Sequence, residues 1–194
     1  MWVGRGYTVF DTTVGRCGIA WGEAGIASVH LPEAREIETR RRMLRQYPQA
    51  RELRPPPEVE IAIDGIVAVL RGQPCDFADV VLDMRDVTPF NRRVYEVVRA
   101  IPRGETTTFA EIAKQLGASG AFQAVERAMA RNPFTIIVPC HRVLPAAGET
   151  GGICANGGVI TKRRLLSLEG ALAGGGPTLF DVLLSSVAPH RTAG

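Results

Sequence analysis

Apolar and polar positions along the first third of the chain alternate in short runs. Tyr7 to Phe10 and Cys17 to Trp21 are β-prone, and Asp11-Thr12-Thr13-Val14-Gly15 lies between them, which predicts a hairpin. Glu23-Ala24-Gly25 predicts a second turn, and Ile26 to Leu31 a third strand. From Glu33 to Gln46 the pattern becomes charged, with Ile37, Met43 and Leu44 as its apolar marks, so a surface helix is expected. Arg54-Pro55-Pro56-Pro57 is a break. Val59 to Leu70 follows, with Ile61, Ile63, Ile66, Val67 and Leu70 at helical spacing, and predicts a core-facing helix that ends at Arg71 to Pro74. Asp79 to Met84 has the composition of a further strand.

The second half is patterned for helices. Pro89 to Ala100 carries Phe90, Val94, Val97 and Val98 on one side, with Thr88 placed to cap its N-terminus. Ile101 to Glu105 is a turn. Phe109, Ile112, Ala113 and Leu116 then form an i, i+3, i+4, i+7 stripe. Gly117-Ala118-Ser119-Gly120 is a short turn, and Ala121 to Arg131 predicts another helix. Two short helices about a Gly-containing turn fit either a DNA-reading helix-turn-helix or an αα-hairpin that supports a core. Phe134 to Val138 reads as a short buried strand or extended segment. The expected class is therefore α+β. A small N-terminal β-sheet/helix domain (1–86) precedes a mostly helical domain (87–172), and a Gly-rich tail (173–194) follows.

Composition narrows the picture only a little. The chain has 194 residues, 45% of them apolar, a net charge of +3 and a pI near 8.9. That excess of basic residues is compatible with nucleic acid without requiring it. The four cysteines, Cys17, Cys75, Cys140 and Cys154, have no CxxC spacing, so no zinc site is expected from them. The N-terminus lacks a basic region followed by an apolar stretch, and no run approaches the ~18 apolar residues of a membrane helix. A reducing, cytoplasmic setting with no membrane partner is the expectation, and it would keep thiols free to react.

The candidate chemistry lies in Pro139-Cys140-His141-Arg142-Val143, directly after the apolar run. Both a pocketed nucleophile and an inert core cysteine fit this placement. A free thiol, with a pKa of about 8.5, is mostly protonated at neutral pH and attacks well only as thiolate, so a nucleophilic Cys140 needs a base. His141 is the candidate.

Asn132-Pro133 through Val143 resembles the active-site signature of the O6-alkylguanine-DNA alkyltransferases. The likeness runs from Thr88-Pro89-Phe90 to Leu168-Glu169-Gly170. It implies a relay of Glu169, His141, a water and Cys140, with Asn132 as the hinge that orders the turn before the active site. It also implies a base pocket lined by Pro139 and Val143, by Asn156 in the Gly151–Gly158 loop, and by Lys162 nearby; Arg142 would tie segments together. The implied reaction is displacement of a methyl or alkyl group from O6 of guanine onto Cys140, one turnover per protein, with no cofactor. The implied partner is double-stranded DNA containing O6-alkylguanine, bound through the minor groove by a monomer with the lesion flipped out.

Departures from the family pattern stand out in the second helix, at Phe109 and in the Gly151–Gly158 loop. Gln123 occupies the position of an intercalating arginine, and Glu126 that of a glycine, in a helix whose small residues here are Ala121 and Ala124. Arg127, one turn beyond Gln123 on the same face, fits either a partial replacement as phosphate anchor or wedge or a solvated surface arginine. Phe109 stands where the family has a tyrosine, so it can stack on a base but cannot donate a proton. The Gly151–Gly158 loop lacks a tyrosine and is about two residues longer than the common form. Gly22 and Ala27 occupy the positions of zinc ligands in human-type members, so no metal is expected. Two other readings are a lesion-recognition protein with weak or no transfer and, more distantly, a cysteine hydrolase.

Overall fold

The structure, a computed structural model, describes residues 6–145 and 158–171. The first three strands form where the alternation predicts them: β1 (Gly6–Thr12), β2 (Gly15–Gly22) and β3 (Gly25–His30). They pair as an antiparallel meander. A short β4 (Arg51–Glu52) adds parallel to β1, giving the order β3-β2-β1-β4. Gly25 is required by space as well as by its φ of +115°, because a Cβ there would lie 2.4 Å from the Val81 carbonyl oxygen.

That close approach marks where the Asp79–Met84 expectation fails. Ile26 N–H donates to Val81 O and Asp83 N–H to Ile26 O, but only Leu82 forms a bridge with β3. The Asp83 carboxylate then accepts from Arg85 N–H and from the Arg85 guanidinium, which turns the chain away before a strand can extend.

Helix α1 (Glu36–Gln46) lies on the sheet through Thr39 and Met43, while Ile37 and Leu44 stay exposed. Helix α2 (Pro57–Leu70) starts with proline at its first position, where no N–H is needed. Its buried stripe is Val59, Ala62, Ile66, Val69 and Leu70. Ile61, expected to face the core, is 68% exposed because it falls off that stripe.

In the second half Thr88 caps α3 (Pro89–Arg99) by accepting from Asn91 N–H. A two-residue strand, β5 (Thr107–Thr108), leads into α4 (Phe109–Gln115), whose capping box joins Thr108 and Glu111 reciprocally. Helix α5 (Phe122–Ala130) completes the helix pair. After the Cys140–Arg142 turn, β6 (Val143–Leu144) pairs parallel with β5, and α6 (Gly158–Glu169) closes the described chain. The main core runs without a break from the sheet and α2 into α3, α4, α5 and the segment around Cys140. A smaller cluster of Tyr7, Ala20, Ala27, Met43, Tyr47 and Ala50 lies under α1. The tail lies outside the described residues.

Candidate active site

The segment before Cys140 is buried, as expected, but it is bent rather than extended. Asn132 is the cause. Its Oδ1 accepts from Phe134 N–H at 2.9 Å and its Nδ2 donates to Val138 O at 3.0 Å, stapling the two ends together. Val138 N–H also donates to Phe134 O, and Ile136 takes a φ of +76° at the tip. A β-branched residue in that region is strained by about 1–3 kcal/mol, and burial of Phe134, Ile136, Ile137 and Val138 holds it there. Pro133 O accepts from Val29 N–H, which fixes the loop to β3.

Pro139 then starts a single 3₁₀ turn, Cys140–Arg142. Cys140 is 5% exposed and His141 3%. His141 Nε2 lies 2.9 Å from Glu169 Oε1. Arg142 grips the same carboxylate with two bonds, Nε to Oε2 at 2.9 Å and Nη2 to Oε1 at 2.8 Å, and donates from Nη1 to Ile101 O at 2.6 Å. The Glu169 side chain is only 2% exposed. Burial alone would raise its pKa, but hydrogen bonds from His141 and Arg142 outweigh burial and hold it down to about 2. Burial lowers the pKa of His141, and Glu169 opposes that shift. His141 is thus kept neutral and oriented at neutral pH, the form in which imidazole accepts a proton. Among the other described cysteines, Cys17 is held up to about 11 by burial, and burial likewise raises exposed Cys75.

Around this centre Pro139 and Val143 are buried, and Lys162 Nζ donates to Val143 O at 2.6 Å. A carbonyl has two lone pairs, so Val143 O retains capacity for a second donor. Asn156 and its loop lie outside the described residues. Sequence reasoning missed Tyr95. It is fully buried and meets Phe134 edge-on at 6.1 Å, and its hydroxyl donates to Ala128 O in α5. Its place one helical turn from Asn91 and Val98 on the apolar side of α3 was the available signal.

On α5, Gln123 and Arg127 are exposed on one face, with Ala121 and Ala124 half-buried beside them. Glu126 is half-buried. Phe109, expected as a stacking surface, is 2% exposed and packs in the main core, so it forms a wall rather than an open platform. Its position as the first residue of α4, the helix's entry into the core, is the reason. Gly22 and Ala27 offer no ligating side chain. No described helix is long and apolar enough to cross a membrane.

A buried cysteine, followed in the chain by a histidine paired with a buried carboxylate and preceded by a helix pair with an exposed second helix, is the arrangement expected of a cysteine-nucleophile protein built on a helix-turn-helix. The comparisons agree. A family profile described as the DNA-binding domain of 6-O-methylguanine DNA methyltransferase matches residues 89–171. The methylated-DNA–protein-cysteine methyltransferase of Methanothermobacter thermautotrophicus is 37% identical over 79% of this chain and 78% of its own. That of Mycobacterium tuberculosis is 47% identical over 62% of this chain and 70% of its own. A crystal structure of Mycobacterium tuberculosis OGT in complex with DNA superposes with a TM-score of 0.66 at 35% identity, covering 85% of this chain and 92% of that one. The chain belongs to the methylated-DNA–protein-cysteine methyltransferase family, whose work is DNA repair by alkyl transfer.

Proposed function

We propose that Cys140 accepts a methyl or larger alkyl group from O6 of guanine in double-stranded DNA and that each protein molecule acts once. The observation that carries this reading is the buried Glu169 carboxylate, which holds His141 and Arg142, the two residues that follow Cys140 in the chain, at 2.8–2.9 Å. His141 takes the thiol proton through a water molecule. The thiolate attacks the alkyl carbon, an S–C bond forms and the C–O bond breaks. The electron pair goes to guanine, which gains a proton from the relay or solvent, since Phe109 has none to give. The product is a thioether that water does not reverse, and no cofactor takes part.

Double-stranded DNA is bound from the minor groove by a monomer, and the lesion flips into a pocket formed by Pro139, Val143, Asn156 and Lys162. Gln123 reaches the gap left in the base stack, and Ala121 and Ala124 allow close approach of α5. Arg127 supplies the charge that Gln123 lacks. Asn132 sets the active-site turn, and Phe109 walls the base pocket. Residues 1–86 support the sheet side and residues 87–172 carry the chemistry, in the cytoplasm. The test is base analysis of a duplex carrying one O6-methylguanine. Guanine should appear in an amount equal to the protein added and then stop. Lesion that is bound but never converted would instead mark a recognition protein, and the proposal would fall.

A further inference from the structure

The turn Ile101–Gly104 lies against the end of α6 at two points and against Arg142 at a third. Ile101 O accepts from Arg142 Nη1, the arginine that grips Glu169. A Cβ at Gly104, whose φ is +83°, would lie 3.2 Å from Glu169 O, so the turn packs directly on the backbone of that residue. Arg103 Nη2 donates to Leu168 O at 2.7 Å. The last carbonyls of a helix have no partner within it, and a cation there also suits the helix dipole. Arg103 therefore closes the last turn of α6, immediately before Glu169.

The same Nη2 donates to Gly72 O at 2.5 Å, just beyond α2. Gly72 has a φ of +81°, and a Cβ there would lie 3.3 Å from Leu168 Cδ2. A second tie runs from Arg164 Nη2 to Thr13 O, while Thr13 Oγ1 donates to Leu70 O. Helix α6 is thus held to the β1–β2 turn through Arg164 and, through Arg103, to the end of α2.

We infer that Arg103 is a positioning residue for Glu169, and that through it the N-terminal half sets the basicity of His141. This rests on the reading of His141 as the base. Arg103 touches no reacting atom. Its effect is to keep the Glu169 carboxylate within hydrogen-bond distance of His141. When that carboxylate drifts, His141 loses the interaction that raises its pKa against burial.

The experiment compares Arg103→Ala and Arg103→Lys with wild type by two readouts. One is the NMR titration of the His141 ring in the free protein. The other is the single-turnover transfer rate against pH on an O6-methylguanine duplex, with duplex affinity measured alongside. In Arg103→Ala the His141 pKa and the acid limb of the rate profile should both move to lower pH. The rate should fall about tenfold, the loss expected from one charge-assisted hydrogen bond, with duplex affinity unchanged. Arg103→Lys, which can still donate to both carbonyls, should restore most of both. An unmoved His141 titration would overturn the inference, including when the rate falls only in step with thermal stability. Absence of transfer by wild type would overturn the reading of the reaction, and the titration would still decide the role of Arg103.

Discussion

Glu169→Gln keeps the shape of the residue at the centre of the site and removes its charge. The carboxylate accepts from His141 and twice from Arg142, and its side chain is 2% exposed. Although burial raises its pKa, those partners hold it at about 2. Against an ordinary value of about 4.3, that gap is worth about 3 kcal/mol of native-state stability. The glutamine amide must turn its NH₂ toward His141 or toward Arg142, leaving one donor facing another. Near neutral pH the variant should therefore be about 3 kcal/mol less stable in urea unfolding. The sign of the pH dependence follows from the depressed pKa. The folded protein binds this proton more weakly than the unfolded chain, so the stabilisation is complete above about pH 5 and disappears as the pH falls toward 2. The gap between the two proteins should close over that range. Transfer should slow by about 100-fold, the usual size of a lost general base or its orienter. A gap below about 1 kcal/mol at neutral pH, or one that does not narrow on acidification, would refute the electrostatic account. A rate within about threefold of wild type would refute the relay.

Three further outcomes are expected. Burial and, secondarily, Arg42 hold His30 down to about 4, against a weaker opposing interaction with Gln46. The unfolded chain takes up this proton near pH 6.5, so the native state should lose roughly 3 kcal/mol as pH falls from about 6.5 to about 4. His30→Leu should flatten that part of a urea-midpoint-against-pH curve; an unchanged slope would remove His30 as its source. Arg127→Ala should weaken duplex binding and lower the slope of log affinity against log salt by about 0.9, and an unaltered slope would place Arg127 off the phosphates. Thr108→Ala breaks the capping box at the start of α4 and should cost about 1 kcal/mol in urea unfolding, whereas no loss would mean that solvent caps the helix equally well.

The elements legible in the sequence were those whose signal is local. Alternation located β1 to β3, and the Phe109-Ile112-Ala113 stripe located α4. Thr88 marked the start of α3. Ile61 was misplaced because a helix rich in isoleucine and valine offers two overlapping apolar stripes, and only packing against the sheet selects one. The bend at Ile136 is imposed by the Asn132 side chain against strong β propensity, which local preference does not register. The strands β4, β5 and β6 are two residues each and exist only through distant partners. Within the site, Cys140 and His141 were visible as neighbours. The bond from His141 to Glu169 spans 28 positions, and only the family resemblance suggested it. Arg103 carries no motif of its own; its role depends on where α2 and α6 end.

The most direct test of the central claim is the intact mass of the protein after incubation with excess duplex carrying O6-methylguanine, followed by peptide mapping and with Cys140→Ala as control. The account predicts a gain of about 14 Da, one methyl group, on wild type only, located on Cys140 and never exceeding one per molecule. An unmodified Cys140 after the lesion has been bound, or a methyl group found on Cys17 or Cys75, would contradict it.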